Sequence, residues 1–304
     1  MLRITVYGAA LLLLLTACTI NPTPPDRYAL VYGVSEYVTQ DDLTYTKNDA
    51  TEVANELISK GYNVYLRITD DLGNNNATKV QFIDDFQNIV PTISKDDILL
   101  VYFSGHGGQI VQGADSDEDQ FADGYDEAIL FSNGIDTDSL LTDNELYTML
   151  SQSDVVKKVV IIDACNSGGF IGQEYDYDAL NPDYTTEDKT SDGIISSTLK
   201  AFFSPKSGDI PPSTAIVISA AGEQESSLEA PDGYSPYHGY FTFALLKALS
   251  YADYNRDGYI DTGEIYKYTF DYMYLFNIYD FSSSLEYMPH ISGGPVDYIL
   301  FEAD

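Results

Sequence analysis

Two residues in this chain stand where covalent chemistry could be done. Cys165 follows Asp163 and Ala164 and precedes Asn166, Ser167, Gly168 and Gly169; His106 sits in Ser104-Gly105-His106-Gly107-Gly108, 59 positions before Cys165. A thiol attacks only as thiolate, and an imidazole beside it can take its proton or stabilise the anion. The glycines flanking His106 and following Cys165 let backbone N–H groups come close to a reacting carbonyl. The N–H groups of Gly107 and Cys165 are the expected oxyanion donors. A nucleophile, a general base and an oxyanion site make a set for attack on a carbonyl.

The flanking sequence must bring them together. Val159, Val160, Ile161 and Ile162 precede Asp163 without polar alternation, and Ile98, Leu99, Leu100, Val101, Tyr102 and Phe103 precede Ser104 in the same way. Unbroken apolar runs of this length suit parallel strands covered on both faces. Two such strands in one sheet deliver His106 and Cys165 to the same C-terminal edge, where ligands and reactive groups collect. Elsewhere strand and helix alternate. A strand is expected over 27–34, a helix over 48–60 closed by Gly61, a strand over 62–68, a helix over 77–90 and a short strand over 128–131. Further helices are expected over 142–150, opened by a Thr142/Glu145 capping box, over 240–251 and over 264–276; strands are expected over 214–219 and, at an edge, 297–301. Such alternation predicts βαβ units and a largely parallel sheet.

Ser-Gly-His-Gly after one apolar strand and Asp-Ala-Cys-Asn-Ser-Gly after another resemble the caspase and metacaspase superfamily of cysteine peptidases. Leu43 to Ala50, with Asn48 and Asp49, is similar to the segment after the first strand in metacaspase-like enzymes, and Gly239-Tyr240-Phe241-Thr242 resembles a late motif of bacterial members. The resemblance implies a three-layer α/β/α sandwich around a mostly parallel sheet, protein or peptide substrates, and an acidic S1 pocket lined by Asp49 and Asp163. Agreement is partial, because the metacaspase cysteine three residues before the first aspartate is Thr46 here. Caspases proper hold a substrate aspartate with arginines. This chain has Arg3, Arg27, Arg67 and Arg256, none beside a motif for that role.

Charge and targeting bound the setting. Forty-eight acidic against 15 basic residues give a net charge of −33 over 304 residues, which argues against nucleic acid or an anionic membrane surface as partner. Arg3 and then the uncharged stretch 4–17 have the make-up of a signal peptide, and Leu15-Thr16-Ala17-Cys18 resembles a bacterial lipobox, with Cys18 as the lipidated residue. The expected organisation is a leader over 1–17, a proline-rich tether over 18–27, and a peptidase domain over 28–304. The expected location is the cell envelope, anchored through Cys18 and facing periplasm or exterior. With Cys18 acylated, Cys165 is the one free thiol.

Two acidic loops and one long segment complete the reading. Asp253, Asn255, Asp257, Gly258, Tyr259, Asp261 and Glu264 match positions 1, 3, 5, 6, 7, 9 and 12 of an EF-hand loop and predict Ca²⁺ there. Asp115, Asp117, Asp119, Asp123, Asp126 and Glu127 form a second cluster, without the glycine at position 6. Metacaspases carry an activating calcium site partly in that loop, but the aspartate they place seven residues after the nucleophile is Gly172 here. Residues 174–212 form a weakly patterned segment where caspase-like enzymes place their subunit linker, and Lys189, Lys200 and Lys206 are its candidate self-cleavage sites. The sequence thus points to a lipid-anchored cysteine endopeptidase cleaving after Arg or Lys. The competing class is a non-enzymatic calcium-binding surface lipoprotein on the same fold.

Overall fold

The apolar runs become strands buried on both faces. In the computed structural model, β1 (Arg27–Gly33), β2 (Asn63–Ile68), β3 (Ile98–Ser104), β7 (Lys157–Asp163) and β8 (Ile216–Ser219) pair in parallel, and β10 (His290–Ile291) adds an antiparallel edge. The order across the sheet is β10-β8-β7-β3-β1-β2. The structure describes residues 25–38, 40–69, 76–111, 125–132, 138–171, 210–211, 213–222, 225–230, 237–280, 288–292 and 297–303. The leader over 1–17 with Cys18, the acidic positions 115–123 and nearly all of the 174–212 segment lie outside them. No helix among the described residues is long and apolar enough to cross a membrane.

Because side chains alternate along a strand, each strand feeds two cores. Ala29, Val31, Leu100, Tyr102, Val159 and Ile161 face one layer with α1 (Thr46–Ser59), α4 (Tyr240–Tyr251) and α5 (Thr262–Asp280). Leu30, Tyr32, Val101, Phe103, Val160 and Ile162 face the other with α2 (Lys79–Ile89) and α3 (Asp143–Ser151). This is the expected three-layer α/β/α sandwich. Gly61 takes φ +82 just past α1, and Thr142 with Glu145 forms a capping box at α3.

One expectation is corrected, and strands appear that the sequence pattern does not show. Gly107 and Gly108 do not merely end the His106 segment; they open β4 (Gly107–Val111), which joins β5 (Tyr125–Leu130) and β6 (Leu140–Thr142) in a small antiparallel sheet. Two consecutive glycines hide a strand signal, since they carry no side chains to alternate. The last strand, β11 (Ile299–Glu302), pairs with β9 (Tyr259–Asp261) and not with the central sheet. The edge strand beside β8 is instead β10, which at two residues is too short to leave a pattern.

One polar network fastens β1 and β2 to α2. Arg67 reaches Asp85 through Nε and Nη2 at 2.7 and 2.8 Å, Tyr32 donates its hydroxyl at 2.7 Å and Gln81 its amide at 2.9 Å. Burial acts to raise the Asp85 carboxyl, but these donors outweigh it and hold the group below the usual carboxylate range. Asp85→Ala strands a buried tyrosine hydroxyl and a guanidinium. Arg67 keeps 32% of its side chain exposed, so water recovers part of the loss. The expected destabilisation in urea titration is roughly 2 kcal/mol.

Candidate active site

Register places the chemistry. Ser104 at the end of β3 lies opposite Asp163 at the end of β7, and Gly105 N donates to the Asp163 carbonyl at 3.1 Å. Each strand therefore delivers its reactive residue two positions further on, at the same edge. Cys165 is followed by Asn166 at φ +57, a left-handed conformation that asparagine tolerates, and then by a 3₁₀ turn over Ser167–Phe170. Asn166 N is held by the Glu225 carbonyl at 2.9 Å. Cys165 thus stands on a sharp, tethered bend.

His106 and Cys165 line one cleft of about 300 Å³, together with Asp49, Ser104, Asp163, Ser226, Ser227, Leu228, Glu229 and Gly239. The two are not hydrogen-bonded to each other. Cys165 Sγ donates to the Ser227 carbonyl at 3.7 Å, and burial pushes the thiol up against the opposing influence of Ser226 and Ser227. Burial thus favours the neutral thiol over the thiolate at the resting sulfur. His106 Nε2 lies 2.8 Å from the Asp41 carbonyl, its ring packs on Tyr37 at 4.6 Å, and its backbone N–H donates to the Tyr37 hydroxyl at 2.7 Å. A carbonyl only accepts, so in the neutral ring this bond puts the proton on Nε2 and leaves Nδ1 as the basic nitrogen.

Gly107, expected from the sequence as an oxyanion donor, opens β4. It pairs with Ile129, while Leu130 N donates to the His106 carbonyl at 2.9 Å. In an antiparallel ladder that makes Gly107 part of the non-hydrogen-bonded pair, so its N–H points away from β5. A Cβ on Gly107 would collide with the Cys165 carbonyl, which only glycine avoids.

The two acids named from the sequence meet at the cleft floor. Asp49, in the first turn of α1, is fully buried and receives Ser104 Oγ at 3.1 Å, Gly239 N at 3.2 Å and His238 Nδ1 at 2.7 Å. Asp163 receives Ser227 Oγ at 2.6 Å and Thr242 Oγ1 and N at 2.6 and 3.2 Å. Both Oδ2 atoms converge on Gly239: a Cβ there would sit 2.7 Å from that of Asp163 and 3.3 Å from that of Asp49. Burial raises both carboxyls, Asp49 to about 7 even with His238 pulling it down. Burial opposes the His238 imidazolium, but Asp49 and then Glu52 outweigh it and the group is raised.

His238, Tyr37, Asp41 and Ser227 were not anticipated. Only His238 left a signal, as one of three histidines in the chain, directly before the Gly-Tyr-Phe-Thr stretch. Tyr37 and Asp41 lie in a loop whose path the sequence does not constrain.

The EF-hand-like loop lies apart from this cleft, between α4 and α5. Gly258 takes φ +86 at the sharp turn, and Asp253 accepts from the amides of Asp257 and Gly258, both at 3.2 Å. Asn255 accepts from Asp257 N at 2.8 Å, and Asp257 from Tyr259 N at 2.9 Å. Glu264 accepts from the amides of Tyr254 and Asn255 at 3.0 and 3.1 Å, and Asp261 from Glu264 N at 2.8 Å. Turn and donor set fit an oxygen-coordinated cation. Their carboxylates are turned onto loop amides, and among the described residues no three His, Cys, Asp or Glu side chains are gathered into a metal cage. Of the second acidic cluster, the described Asp126 and Glu127 belong to β5.

A family model described as a caspase domain matches residues 26–292. The chain belongs to the caspase-domain family. Among curated caspase-domain relatives, metacaspase-1 of Candida albicans is 30% identical over 161 residues, covering 50% of this chain and 35% of that protein. Metacaspase-1 of Plasmodium falciparum is 31% identical over 180 residues, covering 56% and 28%. The aligned part spans about a third of those relatives' length. Among solved structures, a Geobacter sulfurreducens protein aligns with TM-score 0.58 at 18% identity, covering 92% of this chain and 100% of that one. Caspase-1 from Spodoptera frugiperda aligns with TM-score 0.53 at 12% identity, covering 88% and 86%. These two show the caspase-like fold.

The Asp49–His238 pair carries a pH signature. An unfolded aspartate titrates near 3.9 and the folded one near 7, while His238 is also raised, so between these limits the folded state binds the extra proton. The stability from that proton is present at low pH and is lost as pH rises through the folded values. Asp49→Asn removes it. The melting-temperature advantage of wild type over this variant should shrink as pH goes from 5 to 8 in scanning calorimetry.

Proposed function

We propose that this caspase-domain chain is a cysteine endopeptidase that cleaves after Arg or Lys. The observation that carries the reading is the convergence of Cys165, His106 and two buried carboxylates in one cleft at the C-terminal edge of a parallel sheet. Cys165 Sγ attacks the peptide carbonyl carbon and passes its proton to His106; the C–N bond breaks as His106 returns that proton to the leaving amine. Water then hydrolyses the thioester, with His106 acting again. The N–H groups of Gly107 and Cys165 hold the oxyanion. Because burial keeps the resting thiol neutral, substrate must displace the Ser227 contact before the proton can move.

The pocket reading rests on charge. Asp49 and Asp163 present oxygens where a guanidinium or ammonium gains charge-assisted hydrogen bonds, and among the described residues no arginine lines the cleft to hold an acidic side chain. Attachment to a bacterial envelope membrane through Cys18, and export, belong to the same reading on the ground of the 1–18 sequence. Partners are protein or peptide substrates, and the charge of −33 disfavours nucleic acid.

A panel of fluorogenic peptides ending in Arg, Lys, Asp or Asn tests this. Turnover after Arg and Lys is expected, lost in Cys165→Ala, with KM for Arg raised about tenfold in Asp163→Asn. Preference for Asp would sink the pocket assignment. The competing reading, a non-enzymatic calcium-binding surface lipoprotein, is favoured by the missing His106–Cys165 hydrogen bond. Simple alkylation does not separate the two, because a thiol with a raised pKa reacts slowly in either. Turnover by wild type and not by Cys165→Ala does.

Ca²⁺ is proposed at the 253–264 loop, held by the side chains of Asp253, Asn255, Asp257, Asp261 and Glu264 and the Tyr259 carbonyl. A bound cation would neutralise these acids and stabilise the folded state by mass action. Adding Ca²⁺ should raise the melting temperature, EDTA should reverse the rise, and Glu264→Gln should abolish it. A curve indifferent to Ca²⁺ up to millimolar concentration counts against the site.

A further inference from the structure

The acidic floor of the cleft has a support that the proposed chemistry does not use. His238 is buried, and while its Nδ1 meets Asp49 Oδ1, its Nε2 lies 3.3 Å from Glu52 Oε2, on a side chain 59% exposed. From α4, Phe243 stacks on the ring at 6.3 Å. The charged groups acting on the imidazole are thus Asp49 and Glu52, both from α1. His238 does not line the cleft, whereas Asp49 does. The imidazole backs Asp49 from behind, taking Oδ1, and Oδ2 converges with that of Asp163 on Gly239.

We propose that His238 is a positioning residue for P1 recognition: it holds Asp49 as a carboxylate with Oδ2 turned into the pocket, so selection of a basic side chain depends on a residue the substrate does not touch. The inference rests on the reading of this cleft as a pocket for Arg or Lys. Two carboxylates buried side by side cannot both stay ionised without a cation, and one takes up a proton. An entering guanidinium would then have to expel that proton or settle for a neutral acid. One imidazolium against the Asp49–Asp163 pair leaves a single negative charge at the floor, which one substrate cation balances, with Glu229 on the cleft wall beside it. Glu52 at the surface supports the imidazolium from the solvent side.

The test uses the full chain and two matched peptides, one ending in Arg and one in its uncharged isostere citrulline, between pH 6 and 9. His238→Ala should raise KM for the Arg peptide about tenfold at pH 7.5, where wild-type Asp49 has ionised, leave kcat within about twofold, and leave citrulline unchanged. The deficit should shrink toward pH 9, where Asp49 ionises unaided. His238→Gln, which keeps an N–H donor without a charge, should match wild type at pH 9 and not at pH 7.5. Glu52→Gln, a surface change that spares the fold, should move the rise of KM seen on acidification to higher pH. Equal losses on both peptides, or losses in kcat, would mean a merely structural role and overturn the proposal. So would a KM–pH profile indifferent to His238→Gln and Glu52→Gln. Wild type that fails to prefer Arg over citrulline overturns the pocket reading and this inference together; wild type that prefers Arg, with indifferent variants, overturns this inference alone.

Discussion

The pairing of β3 with β7 is the constraint on which the site depends. Both strands are buried on both faces, so neither can slip by a residue without carrying apolar side chains out of one core and polar ends into the other. That fixes Ser104 opposite Asp163. The two residues that follow each strand then have little freedom. Gly105 bonds back to the Asp163 carbonyl, Gly107 packs on the Cys165 backbone, and Asn166 turns the chain away in a left-handed conformation. Rigidity of the sheet becomes precision at its edge.

Buried polarity has a cost that the surrounding residues offset. Asp49 and Asp163 sit in a region that disfavours charge, and each is surrounded by donors from several elements: Ser104 from β3, Gly239 and Thr242 around the start of α4, Ser227 from the loop after β8, and His238. Each partner is far in sequence from the acid it binds. Thr242 also reaches the Tyr102 hydroxyl at 2.5 Å, tying the acid pair into the core of β3. A second contact closes the same region from outside, where Glu229 accepts from the amides of Thr44 and Tyr45 at 2.9 and 2.8 Å and fastens the cleft wall to the start of α1. The acidic floor is therefore a junction of the fold as well as the proposed recognition surface. Its charge state and the stability of the domain are linked.

Sequence pattern was a good guide wherever a side chain's role is set by its neighbours in the chain. Unbroken β-branched runs announced parallel strands, glycine at 61 and the Thr142–Glu145 pair announced helix ends, and histidine and cysteine after such strands announced one shared edge. It was a poor guide to β4, where glycines erase the alternation, and to β11, whose partner is chosen by the position of the 253–264 loop.

What the sequence by itself determined is the fold family, the identities of Cys165 and His106, and the presence of two acids near them, because these follow from local periodicity and short motifs. Only the tertiary structure decided how the groups are held. Asp41 and Tyr37 fix the His106 ring, Ser227 takes the thiol, and His238 backs Asp49 across 189 positions of chain. Hydrogen bonds and desolvation act over a few ångströms of space whatever the distance along the chain, so a residue's protonation state and orientation are properties of the folded neighbourhood and leave no periodic trace in the sequence.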